Sequence, residues 1–104
     1  MQLTTTETVP EGDVAEVLGI AKGNTVRAKN VGRDITQAIR NITGGELKSY
    51  SALLSDAREE ALARLTEDAE SRGADAVVNI RFETSEIAQG AAEILAYGTA
   101  VRLE

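Results

Sequence analysis

SYSALLSDAREEALARLTEDAESRGAD, residues 49–75, decides the fold. Leu53, Leu54, Ala57, Ala61, Leu65 and Ala69 recur at helical spacing, while Arg58, Glu59, Arg64, Glu67, Asp68 and Glu70 mostly occupy the other sides. The pattern predicts a long amphipathic helix starting near Tyr50. Arg72 falls in its last turn, and Gly73 stops it by taking backbone angles that close a helix end. The apolar stripe is mostly alanine. Such a stripe lets a partner backbone approach closely but contributes little apolar area per residue.

Downstream, two segments have the period of two expected of strands. In residues 76–84, Val78, Ile80, Phe82 and Thr84 alternate with Val77, Asn79, Arg81 and Glu83. In residues 93–103, Leu95, Tyr97, Thr99, Val101 and Leu103 alternate with Ile94, Ala96, Gly98, Ala100 and Arg102. The second row is small and apolar and reads as the outward one, so both sheet faces are expected to be covered, one by helices and one by a neighbouring subunit. Residues 85–91 contain Gly90 and read as a hairpin loop.

Upstream, the threonine-rich residues 2–6 read as a short strand, followed by a turn at Val9-Pro10-Glu11-Gly12. Residues 13–28 carry two glycines and several β-branched residues, which oppose a helix and favour a continuous, irregular strand. In residues 31–42, Ile35, Ala38, Ile39 and Ile42 share one helical face, predicting a short helix ended by Thr43-Gly44-Gly45. Glu46-Leu47-Lys48 then links it to the long helix. The order predicts one α+β domain over residues 1–104: two layers, an antiparallel or mixed sheet, one long helix and one short helix.

Composition bounds the function. The chain has 104 residues, 42% hydrophobic and 27% charged, with 3% aromatic residues. A core this thin is often completed by burial against copies of the same chain. A net charge of −6 and a pI of about 4.7 disfavour nucleic-acid and anionic-membrane partners. No charged segment followed by an apolar run opens the sequence, and no run approaches the roughly 18 apolar residues of a membrane span. The expected compartment is the cytoplasm.

The chain contains no cysteine and no histidine. Soft-metal sites and the usual nucleophilic dyads and triads are thereby disfavoured. Oxygen ligands remain: Glu46, Asp56, Glu59, Glu60, Asp75, Glu83, Glu86 and Glu93, none at calcium-loop spacing. A carboxylate cluster holding a divalent cation is one functional alternative. A small enzyme with an intersubunit site of Glu, Arg and Tyr is another. Gly44-Gly45 lacks the lysine and hydroxyl of a phosphate loop.

Gly44-Gly45-Glu46, Tyr50, AREEAL at 57–62, Gly73-Ala74-Asp75-Ala76-Val77-Val78, Arg81-Phe82 and Tyr97-Gly98-Thr99-Ala100-Val101 occur in that order. Together they resemble the YbjQ-like family of small bacterial proteins, often labelled a heavy-metal-binding domain. The resemblance covers nearly the whole chain. It implies a dodecin-like α+β protomer in a homopentameric ring, of unassigned biochemical role, acting as a binding or scaffold module whose cofactor and metal are unknown. It implies no catalytic residues. The candidate lining for a small ligand in such a ring is Glu46, Tyr50, Arg58, Glu59, Asn79, Arg81 and Tyr97.

Overall fold

The computed structural model describes residues 1–28, 45–88 and 91–104, with the backbone alone for 45–50. Four strands, β1 (Gln2–Leu3), β2 (Val14–Ala28), β3 (Ala76–Ala88) and β4 (Ala91–Leu103), form one mixed sheet in the order β1-β3-β4-β2. β1 runs parallel to β3, and the other two pairings are antiparallel. One helix, α1 (Gly45–Ser71), packs across one face. The architecture is α+β in two layers.

The two-helix expectation is corrected: among the described residues there is a single helix. The short helix predicted over 31–42 lies outside the described residues. The long helix starts at Gly45, not near Tyr50, so Gly45 opens it and Glu46-Leu47-Lys48 belong to its first turns. At the other end Gly73 closes the helix as expected, but Arg72 lies just past its last residue, Ser71, and not in its last turn. Ala74 N–H donates to the Ala69 carbonyl at 3.1 Å and Gly73 N–H to the Glu70 carbonyl at 3.0 Å, with Gly73 at φ 77°. Those two bonds make a Schellman cap, and Arg72 is the residue between the last helical position and the glycine.

Ala57, Ala61, Leu65 and Ala69 are all fully buried against the sheet. They meet Ala21 on β2 and Ile94, Ala96 and Ala100 on β4. This reverses the expected orientation of β4, because its small row lies under the helix. The reason is steric: a helix whose contact residues are alanines comes close enough that only small residues fit beneath it. Glu93, Leu95, Tyr97 and Thr99 lie on the opposite, open face and are half-buried. At one end that face has a second small core of Val9, Ala76, Val78 and Val101, with Leu103 beside it.

β3 does not keep one alternation. Val77 and Ile80 both join the helix-facing core, while Val78 joins the other. Between them the register with β4 gains a residue, Val78 pairing Thr99 and Arg81 pairing Tyr97. Asn79, at φ 55°, forms this bulge, and asparagine is among the few side chains that tolerate such angles. β2 is continuous through Lys22-Gly23-Asn24, with irregularities at 14–16 and 17–19. The hairpin loop expected over 85–91 is shorter than predicted: Ala88 pairs with Ala91, leaving 89–90 outside the described residues.

Candidate functional site

Five of the candidate lining residues have definite places. Arg58 and Glu59 are exposed on the side of α1 away from the sheet. Asn79 forms the β3 bulge, and its backbone N–H donates to the Thr6 carbonyl at 3.0 Å. Arg81 uses Nη1 on the carbonyls of Thr5 and Ile80, at 3.0 and 2.8 Å, which ties β3 to the N-terminal segment. Tyr97 is half-buried on the open face, paired in register with Arg81 on one side and Lys22 on the other. Arg81 and Tyr97 are thus neighbours, whereas Arg58 and Glu59 stand apart from them. Glu46 and Tyr50 lie in the first turns of α1.

The strongest polar cluster was not singled out by sequence reasoning. Glu60 accepts from Arg27 Nη2 on one oxygen and from Arg64 Nη2 at 2.6 Å on the other. Arg27 Nη1 donates to the hydroxyl of buried Thr25 at 2.7 Å, and Arg64 Nη1 to the Asn24 carbonyl at 2.6 Å. The hydrogen bond from Arg27, helped by the charges of Arg27 and Arg64, holds the Glu60 carboxyl below its ordinary range against the opposing effect of desolvation. One turn on, Asp68 Oδ2 accepts from the Lys22 backbone N–H at 2.9 Å. These side chains cap the outer edge of β2. The cluster is a strut between helix and strand, and its signal in the sequence is the i, i+4 pair Glu60/Arg64.

Next to Asp68 the surface is concave. A cleft of about 670 Å³ is lined by Gly19, Ile20, Lys22, Arg72, Leu95 and Tyr97. An adjoining depression of about 480 Å³ shares Lys22, Arg72 and Leu95 and adds Asp68 and Glu93. Of the candidates named from the sequence whose side chains are described, Tyr97 alone lines either hollow. Among the described residues, no three acidic side chains are placed to hold a metal ion. Nor, among the described residues, is any helix long and apolar enough to cross a membrane.

The chain is a two-layer α+β protein that contains no cysteine and no histidine. All of residues 1–104 match the YbjQ family, whose description reads "Putative heavy-metal-binding", and the chain belongs to that family. A UPF0145 protein of Halobacterium salinarum (strain ATCC 29341) is 68% identical over 103 residues, 99% of each chain. A UPF0145 protein of Archaeoglobus fulgidus is 61% identical over 101 residues, covering 97% of this chain and 94% of its own. Among solved structures, a protein of unknown function of the DUF74 family from Pediococcus pentosaceus superposes with a TM-score of 0.64 at 13% identity. It covers 100% of this chain and 98% of its own, a likeness of fold alone.

Proposed function

We propose that the chain works by self-assembly, as a homo-oligomeric binding or scaffold module built as a pentameric ring. One observation carries this reading: among the described residues, the far half of β3 has no strand along its outer edge. β3 is exposed at every position from Arg81 to Ala88, and among the described residues no strand pairs its outer edge beyond the N-terminal segment. Phe82 and Ile87 on that stretch are 43% and 55% exposed. Unpaired apolar strand edges favour pairing with another chain. The radius of gyration is 16.4 Å, against about 13 Å for a compact domain of this length. The family resemblance supplies the number five.

Hydrogen exchange tests the reading. In an assembly the outward amides of residues 82–88 are protected like those of the core. Exchange there at the rate of a fraying edge contradicts it.

A further inference from the structure

We infer that the cleft between the end of α1 and the open face of the sheet binds a small organic anion with an apolar body. The described residues that line the cleft belong to one chain. The cleft volume, about 670 Å³, lies within the range of small-molecule sites. Its lining divides by chemistry. Ile20, Leu95 and the ring of Tyr97 offer apolar surface, while Lys22 and Arg72 bring two positive charges. Among the described residues no acidic side chain lines it, in a chain whose net charge is −6.

The nearby acids are already engaged. Asp68 accepts from the Lys22 amide with Oδ2 and faces Arg72 Nε with Oδ1 at 3.5 Å. Glu93 accepts from Asn24 Nδ2 at 2.9 Å. Arg72 is therefore oriented through Nε, and among the described residues its two terminal nitrogens have no hydrogen-bond partner. The Lys22 ammonium and the Tyr97 hydroxyl have none either. A guanidinium held by one edge presents the other as a fork, the geometry that suits a carboxylate or phosphate. Beside it, Gly19 sits in an irregularity of β2 at φ 110°, a backbone angle that favours glycine. Bulges of this kind commonly re-aim side chains beside binding sites. The anionic group would meet Lys22 and Arg72, and its organic body would lie over Leu95, Ile20 and Tyr97.

The test is titration of the full chain at low salt with phenyl phosphate, inorganic phosphate and benzyl alcohol, followed by calorimetry and amide chemical shifts. Phenyl phosphate is expected to saturate, shifting the amides of Ile20, Leu95 and Tyr97, and to bind at least roughly tenfold more tightly than either of the other probes. Lys22→Met and Arg72→Met are each expected to weaken it about tenfold, and Lys22→Arg to retain it. Circular dichroism of each variant separates lost binding from lost fold. Absence of saturable binding, binding indifferent to both methionine variants, or equal affinity for inorganic phosphate overturns the inference.

Discussion

Gly23 of β2 lies directly against the backbone of α1 at Leu65. A Cβ at position 23 would overlap the Leu65 amide nitrogen and the Ala61 carbonyl oxygen, and would sit 2.7 Å from the Arg64 carbonyl carbon. Helix and strand are therefore in backbone contact, and the atoms that would have to yield belong to a hydrogen-bonded helix. Gly23→Ala is expected to lower stability by at least ~2 kcal/mol in urea denaturation, beyond the usual cost of one extra methyl group. A stability within ~0.5 kcal/mol of wild type would show that α1 can lift off the strand.

Asn79 supplies a backbone angle. Its φ of 55° sets the bulge that lets Val77 and Ile80 share the helix-facing core. Asn79→Gly is expected to leave thermal stability unchanged or to raise it by up to ~1 kcal/mol, and Asn79→Val to lower it by ~1–2 kcal/mol. Equal effects of the two substitutions would assign Asn79 to its side-chain amide instead.

Glu60 makes part of the stability depend on pH. Arg27 and Arg64 hold its carboxyl below the ordinary range. A carboxylate depressed in the folded state stabilises above its unfolded value, near ~4.3, and that contribution is lost as the pH falls through the folded value. Glu60→Gln is expected to lower the Tm at pH 7 and to converge on wild type towards pH 3. A constant difference across that range would mean that the strut acts without the charge.

The exposed half of β3 carries the proposed subunit contact. Phe82→Glu combined with Ile87→Glu places charge on an edge that is solvent-exposed in the protomer. The double variant is expected to keep its far-UV circular dichroism and to sediment as a smaller species than wild type. Unchanged sedimentation would move the interface elsewhere.

The long helix was legible because its stripe obeys one periodicity, and all four of Ala57, Ala61, Leu65 and Ala69 are buried. Its start was not. Gly44-Gly45 reads as a terminator by propensity, yet Gly45 begins the helix. β4 was legible as a strand but not in orientation, because a row of Ala and Gly reads as outward until the closeness of the helix is known. In β3, Asn79 looks like one more member of a polar row, so the phase slip leaves no trace in the pattern. Tyr97 was singled out from the sequence; its neighbours Gly19, Lys22 and Arg72 were not. They come from two strand positions and a helix cap, far apart in the chain, and only folding brings them to one cleft.

The most direct measurement is native mass spectrometry of the untreated protein at micromolar concentration, because it counts subunits and retained ligands together. One dominant species at five times the 11.0 kDa chain mass is expected. A chain that stays at 11.0 kDa across that range would contradict the pentamer.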